Sequence, residues 1–160
     1  MDNILEHKTE VERIVFEDQC KSNGFILLPD MKWDGKTIEN LYLLAIIHQK
    51  QIGSLRDLDN SHIKLLENVR DKSIAAIEAK YNVQKGKIRA YLHYYPSFYH
   101  LHIHFTHINY QVPGFPERNH LINQVVENLK LDSDYYKKVS LECVVKRNDP
   151  LFELYKDRFE

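Results

Sequence analysis

The sequence predicts an α+β fold in which helices pack on one face of a sheet of about five strands, expected to be antiparallel. Short segments with apolar–polar alternation are typical of half-buried strands, and longer segments carry apolar residues at helical spacing. Turn residues separate these segments, and no repeat or long linker divides the 160 residues. We therefore expect one compact domain over residues 1–160.

The first part of the chain is predicted to begin with two strands, over residues 11–17 and 24–28, joined by a turn at residues 21–24. Thr37 can cap a helix over residues 38–50. The residues expected on the buried face of this helix are Ile38, Leu41, Tyr42 and Ala45.

A second helix is predicted to begin at Asp59, Asn60 or Ser61 and to continue to Tyr81, with a turn at residues 82–86. Its apolar residues at helical spacing are Ile63, Leu66, Ile74, Ile77 and Tyr81.

The second half of the chain is predicted to contain strands, a loop and two further helices. The segments 87–95, 99–105 and 138–146 alternate like strands. Residues 111–117 hold two prolines and a glycine, which favours a loop. A helix is expected from about Glu117, with Leu121, Ile122, Val125, Val126 and Leu129 on one face, and a short C-terminal helix follows Asp149-Pro150.

Composition excludes several classes of protein. A net charge of -1 argues against a large basic surface, so we expect no binding to DNA. The N-terminus is polar and no apolar run approaches membrane-spanning length, so we expect no signal peptide and no membrane partner. The two cysteines form no CxxC pattern, which favours a reducing compartment over a disulfide framework.

Histidine is the unusual residue in this composition. Of nine histidines, five fall between His93 and His107. In the predicted strand 99–105, His100, His102 and His104 alternate with apolar residues, so their side chains share one face of the sheet. Three imidazoles in a row must be solvated or hydrogen-bonded, which argues for a function.

Three interpretations of this strand compete. It can be a solvated polar face. It can bind zinc, although three successive residues on one face span too much length to converge easily on a tetrahedral ion. The third interpretation, which we favour, is phosphoryl or nucleotidyl transfer, because neutral imidazole is a nucleophile near pH 7 and its neighbours can donate hydrogen bonds to phosphate oxygens.

The H-x-H-x-H pattern with apolar spacers resembles the histidine-triad (HIT) motif of nucleotide hydrolases and transferases. Longer blocks, in order along nearly the whole chain, resemble the C-terminal domain of scavenger mRNA decapping enzymes. These blocks are RIVFE (13–17), GFILLPDMKW (24–33), LYLLAI (41–46), SLRDL (54–58), YLHYYPSFYHLHIHFT (91–106), ERNHLINQVVENL (117–129) and DPL (149–151).

This resemblance implies a HIT-like fold and a hydrolase that splits the triphosphate bridge of 5′ cap dinucleotides or short capped RNA fragments in mRNA decay. His102 is the implied nucleophile, and a covalent nucleotidyl-histidine would release 7-methylguanosine monophosphate. His100 and His104 complete the catalytic set, with the His100 carbonyl fixing the tautomer of His102. No metal and no cofactor are expected.

The resemblance also implies two sets of substrate-binding residues. The phosphate contacts are His93, Ser97 and Arg118, and the contacts to the methylated guanine are Glu10, Asp30, Met31 and Lys32. From the residues alone, Ser97 is an ordinary turn residue, and Glu10, Asp30, Lys32 and Arg118 are solvated surface charges.

The family resemblance further implies a homodimer in the cytoplasm and nucleus. It implies a single catalytic domain over 1–160, without the N-terminal domain that the family swaps between subunits. Two other functions stay open: a general histidine-triad hydrolase of dinucleoside polyphosphates or nucleoside phosphoramidates, and a non-catalytic cap-binding module.

Overall fold

A computed structural model describes residues 2–6, 8–111 and 116–158. It contains a six-stranded sheet in which every neighbouring pair is antiparallel. The strands are β1 (Phe16–Asp18), β2 (Phe25–Pro29), β3 (Tyr42–Ile47), β4 (Ile88–His93), β5 (His102–His107) and β6 (Asn119–Leu121). Their order is β1-β2-β3-β5-β4-β6, which places β5 in the interior of the sheet, between β3 and β4.

Five α-helices accompany the sheet in the described ranges: α1 (Asp2–Leu5), α2 (Ile63–Tyr81), α3 (Ile122–Leu131), α4 (Tyr135–Lys138) and α5 (Pro150–Tyr155). The predicted α+β class with an antiparallel sheet is confirmed, with six strands instead of about five. Within the described residues, no helix has the length and apolar character needed to cross a membrane.

The main core lies between one face of the sheet and the two longest helices. Ile103 and Phe105 of β5 enter this core and are fully buried, together with Val69 of α2 and Val125 of α3. Full burial of each such side chain stabilises the fold by about 1.5–3 kcal/mol. On the opposite face, a small cluster of Ile26, Leu28 and Ile46 packs against Ile4, Leu5 and Ile14.

Helix α2 follows the predicted pattern, and both of its ends have a physical cause. The helix continues from a 3-10 turn at Asn60–His62, which is capped by Asp59: its carboxylate accepts a hydrogen bond from the Ser61 backbone N–H at 2.9 Å. After Tyr81, Asn82 adopts a left-handed conformation with φ 54°, which ends the helix and which Asn tolerates well.

The helix predicted over residues 38–50 is wrong. The segment forms a 3-10 turn at Ile38–Asn40 and then strand β3, in which five of six residues are buried. An interior strand covered on both faces has a continuous apolar sequence and no alternation, so its pattern resembles that of a buried helix.

The strand predicted over residues 138–146 is also wrong. Helix α4 ends at Lys138, and residues 139–146 have no regular secondary structure. Val139 and Leu141 still pack against the core, which accounts for the alternating pattern. They do so without a hydrogen-bonded neighbour in the sheet.

Other boundaries differ from the prediction. The first strand is limited to β1, because Val11–Arg13 forms a 3-10 turn, and β5 begins at His102, not at Tyr99. The helix expected from Glu117 begins at Ile122, after a 3-10 turn at Pro116–Arg118 and strand β6. The loop predicted at 111–117 falls largely on 112–115, outside the described residues.

The turn between β1 and β2 requires glycine at position 24. A Cβ atom there would lie 2.2 Å from the backbone oxygens of both Asp18 and Cys20. We expect Gly24→Ala to lower the free energy of unfolding by about 1–3 kcal/mol, the usual cost of overpacking. Urea denaturation measures this change. Gly86→Ala is the matched control, since its Cβ meets no atom within 4 Å, and an equal loss in both variants would contradict the steric explanation.

Candidate active site

Strand β5 carries the histidines on the face of the sheet opposite the main core. His102 pairs with Ile46 of β3, and His104 lies between Leu44 of β3 and Tyr91 of β4. Because side chains alternate along a strand, Ile103 and Phe105 point into the core while His102 and His104 point to the other face. The sheet therefore holds the imidazoles on a rigid base.

His102 has a defined tautomer. Its Nδ1 lies 2.8 Å from the backbone carbonyl oxygen of His100. A carbonyl oxygen only accepts hydrogen bonds, so Nδ1 carries the hydrogen and Nε2 keeps its lone pair. Burial lowers the pKa of His102 below its usual value, so the ring is neutral near pH 7. This is the form that a nucleophilic imidazole needs.

His100 is a supporting residue in this arrangement. Its Nε2 donates a hydrogen bond to the carbonyl oxygen of Ile47 at 2.8 Å, and the next residue, Leu101, donates its backbone N–H to Ile52 O at 2.8 Å. These bonds fasten the chain just before β5 to the end of β3. The side chain of His100 therefore anchors the backbone whose carbonyl orients His102.

His104 lies in a buried aromatic cluster. The ring of Tyr91 stacks on it at a centroid distance of 5.2 Å, and the rings of His93 and His102 lie 4.1 and 4.9 Å away. Its Nδ1 is hydrogen-bonded to the hydroxyl of Tyr42 at 2.8 Å. Its Nε2 is buried and has no partner within the described part of the chain. Burial, with His93 next in importance, places the pKa of His104 well below the usual value.

His93 ends strand β4 beside this cluster. Its Nδ1 is buried without a hydrogen-bond partner among the described residues. Burial, and then the positive charge of Arg118, lower its pKa to about 4. His93, His102 and His104 are thus three neutral imidazoles on one surface.

Arg118 and Ser97 line a groove of about 400 Å³ together with Tyr95 and Tyr99, and none of the three histidines lines it. Arg118 also lies close enough to His93 and His104 for its charge to lower the pKa of both rings. Arg118 donates from Nη2 to the carbonyl oxygen of Tyr95 at 2.8 Å, and its Nε is buried without a partner in the described ranges. Ser97 is exposed. Both have free donors for an anion.

The four residues implied for guanine binding lie near the N-terminus and after β2. Lys32 holds its ammonium 5.9 Å from the centre of the Tyr42 ring, and Asp30 accepts a hydrogen bond from the Lys32 backbone N–H at 2.8 Å. Met31 is 82% exposed. Glu10 forms an ion pair with Arg13 at 2.7 Å.

Arg13 connects Glu10 to the residues after β2, because it also donates a hydrogen bond to the carbonyl oxygen of Pro29, next to Asp30. Two charge effects connect the group to the histidines: Lys32 contributes to the low pKa of His104, and Asp30 opposes the fall in the pKa of His102.

Sequence reasoning missed two residues of the site, Tyr42 and Arg13. The sequence predicts Tyr42 on the buried face of a helix, and only the register of β3 against β5 places its hydroxyl at His104. Arg13 lies in the RIVFE block, and no local pattern indicates that it connects Glu10 to Pro29.

In the described ranges, no group of three His, Cys, Asp or Glu side chains is arranged to hold a metal ion such as zinc. His102 Nδ1 and His100 Nε2 both face carbonyl oxygens, so neither atom is available as a ligand.

Residues 1–120 match the family model described as "Scavenger mRNA decapping enzyme C-term binding". The chain is 46% identical to an m7GpppX diphosphatase of Caenorhabditis elegans over 97% of this chain and 50% of that protein. It is 44% identical to that of Homo sapiens, over 97% of this chain and 46% of that protein. The chain spans about half the length of these curated relatives.

Among solved structures, the chain resembles Hnt3 in a complex with DNA and guanosine, with a TM-score of 0.52, 12% identity, and coverage of 98% of this chain and 90% of that chain. A further match is an aprataxin ortholog, Hnt3 in complex with DNA, with a TM-score of 0.52 and 13% identity over the same shares of the two chains. At this identity the likeness shows the fold alone.

The low pKa of His93 makes the stability of the fold depend on pH. In the unfolded chain His93 titrates near 6.5, whereas in the folded protein it titrates near 4, so the unfolded state binds more protons between these values. The contribution of His93 to the stability of the fold is therefore fully present above about pH 6.5 and is lost as the pH falls towards 4. We expect His93 to contribute about 1–2 kcal/mol of this loss after allowance for partial solvent screening.

Two measurements test this expectation. Urea denaturation at pH 7 and pH 4.5 should show a smaller loss for His93→Gln than for the wild type. A titration of the His93 ring by NMR should stay flat down to about pH 5. A midpoint at 6 or above would show that burial does not keep this ring neutral.

Proposed function

The chain belongs to the scavenger mRNA decapping enzyme family, and from this premise we propose that it hydrolyses the triphosphate bridge of 5′ cap dinucleotides or short capped RNA fragments. Relatives at 44–46% identity are named m7GpppX diphosphatases, and this chain corresponds to about half of each. The observation that carries the proposal is the neutral His102, with its hydrogen on Nδ1 and a lone pair on Nε2.

In the proposed first step, the Nε2 lone pair of His102 attacks the phosphorus that carries 7-methylguanosine. A P–N bond forms, and the P–O bond to the adjacent phosphate breaks with its electron pair going to the leaving nucleoside diphosphate. In the second step, water attacks the same phosphorus and loses one proton to solvent, and the P–N bond breaks with its electron pair returning to Nε2, so that His102 is neutral again. The product is 7-methylguanosine monophosphate.

The neighbours of His102 supply the charge and the donors that this reaction needs. The buried Nε2 of His104 and Nδ1 of His93 have no protein partners in the described ranges, and Arg118 is close enough to both rings to lower their pKa values. Ser97, four residues after His93, is exposed. Donors held at fixed positions stabilise the charge that develops on phosphate oxygens. We assign these four residues to the phosphates.

The methylated base is assigned to the surface formed by Glu10, Asp30, Met31 and Lys32. Carboxylates can accept from the N1–H and amino group of guanine and also complement its positive charge. The exposed thioether of Met31 offers an apolar contact to the ring. The charge effects of Lys32 on His104 and of Asp30 on His102 indicate that this surface adjoins the triad.

His102→Asn should abolish turnover of cap dinucleotide, with a decrease of about four orders of magnitude or more, because it removes the attacking nitrogen. Ligand binding should be largely retained. Mass spectrometry of a quenched wild-type reaction should find a nucleotide adduct on His102.

The matched control is His62→Asn, the same substitution in the 3-10 turn before α2. All reactions contain EDTA. Full activity of His102→Asn would contradict the nucleophile assignment. Loss of wild-type turnover in EDTA that is restored only by added zinc would contradict it as well. Equal rates with methylated and unmethylated caps, or faster turnover of a phosphoramidate, would favour the general hydrolase.

We also propose that the chain forms a homodimer and acts in the cytoplasm and nucleus. Strand β4 is paired on both sides, so it cannot provide a shared edge. Among the described residues, the outer strand in this half of the sheet is β6, where Leu121 is 52% exposed. Closed two-fold dimers are the commonest oligomers, and an apolar residue on a free edge suits one.

The dimer is tested by light scattering at micromolar concentration. We expect twice the chain mass of 19.1 kDa for the wild type. Leu121→Asp should give the mass of one chain, because it places a charge at the edge of β6. A wild-type mass of one chain would reject the proposal.

A further inference from the structure

A hydrogen bond joins two buried residues, Tyr42 and His104, and the proposed reaction gives a role to His104 but none to Tyr42. The Tyr42 hydroxyl lies 2.8 Å from His104 Nδ1, and both side chains are at most 5% exposed. The other ring nitrogen of His104, Nε2, is buried without a partner in the described part of the chain. An unpaired polar atom in such a place is costly unless a ligand completes it.

The direction of this hydrogen bond follows from the chemistry of its two groups. A phenol hydroxyl is a better donor than the N–H of a neutral imidazole, and an imidazole nitrogen is a better acceptor than a phenol oxygen. Tyr42 therefore donates to Nδ1, which requires the ring hydrogen of His104 to be on Nε2. The unpartnered atom is then a donor, N–H, in need of an acceptor.

The alternative way to obtain that donor is to protonate the ring, and this site resists it. Burial, His93, His102, Lys32 and Arg118 all act to lower the pKa of His104. The ring is therefore neutral when it receives the substrate. A neutral imidazole donates from Nε2 in only one of its two tautomers.

We propose that Tyr42 is a positioning residue that holds His104 in the tautomer with its hydrogen on Nε2, so that this N–H donates to a phosphate oxygen of the substrate. The identity of the acceptor rests on the proposed function, whereas the tautomer does not. Strand register provides the means, because Tyr42 lies opposite Thr106 on β5, diagonal to His104. The stacked ring of Tyr91 limits rotation of the imidazole on its other side.

The tautomer is measured on the free protein by NMR of ¹⁵N-labelled histidine, in which protonated and unprotonated ring nitrogens have distinct shifts. We expect His104 of the wild type to be protonated at Nε2 only. In Tyr42→Phe the Nε2 proton should exchange faster with solvent, and the two nitrogen shifts should move towards each other. A wild-type ring protonated at Nδ1 would overturn the proposal.

The kinetic test is a double-mutant cycle with cap dinucleotide. Tyr42→Phe should lower kcat by about tenfold, less than the loss of a complete donor, with KM changed by no more than about twofold. In a His104→Ala background, Tyr42→Phe should have no further effect. An equal decrease in both backgrounds would mean that Tyr42 acts on the substrate directly and would overturn the positioning role.

Tyr110→Phe is the matched control, since it removes a hydroxyl from the ring that packs 5.3 Å from that of Tyr42. We expect its kcat to equal that of the wild type, and a tenfold loss there would attribute the effect to the aromatic cluster in general, against the proposal. If the wild type does not hydrolyse cap dinucleotide at all, the proposed function fails, and the tautomer measurement still decides the role of Tyr42.

Discussion

In a neutral imidazole, one ring nitrogen carries a hydrogen and the other has a free lone pair, and the function of this site depends on the tautomer of each ring. For His102 the tautomer is set by a carbonyl oxygen two residues earlier in the chain, 2.8 Å from Nδ1. That oxygen has to stay in place, and two further bonds hold its peptide: His100 Nε2 to Ile47 O, and Leu101 N to Ile52 O. The end of β3 and the turn after it therefore support the hydrogen bond on which the availability of His102 Nε2 depends. Loss of any of these bonds would weaken the preference of His102 for the tautomer with its hydrogen on Nδ1.

The charges around the triad act on the imidazoles as well as on a substrate. Burial alone favours the neutral rings, but an entering triphosphate brings negative charge that favours protonation. Arg118 and Lys32 oppose this, since both act to lower the pKa of His104 and Arg118 also lowers that of His93. In the proposed reaction the same two cations attract the phosphates. They therefore help to keep His104, and in the case of Arg118 also His93, neutral beside a highly charged anion.

The parts of this site that the sequence predicts well are those that depend on a period of two. Alternation along 99–105 places His102 and His104 on one face, and the structure has them there. Prediction failed where both faces are covered, as in β3, because a continuous apolar run contains no sign of its period. Because β3 is predicted as a helix, the sequence does not reveal the role of Tyr42. Its contact with His104 depends on a strand register between residues 62 positions apart. The family resemblance supplied Ser97, Arg118 and the residues near Asp30, which local patterns alone assign to an ordinary surface.

The division between sheet and turns bears on specificity. The residues assigned to chemistry, His93, His102 and His104, are all on β4 and β5, where hydrogen-bonded neighbours fix the backbone. Those assigned to the base lie outside the strands, near the N-terminus and in the turn after β2. The fold is shared with Hnt3 at only 12% identity, so the architecture by itself does not select a substrate. Selection has to come from side chains on the turns, and Lys32 is well placed for it, because its ammonium lies over the Tyr42 ring that bonds His104. A base held at this turn would therefore fix where its first phosphate meets the histidines.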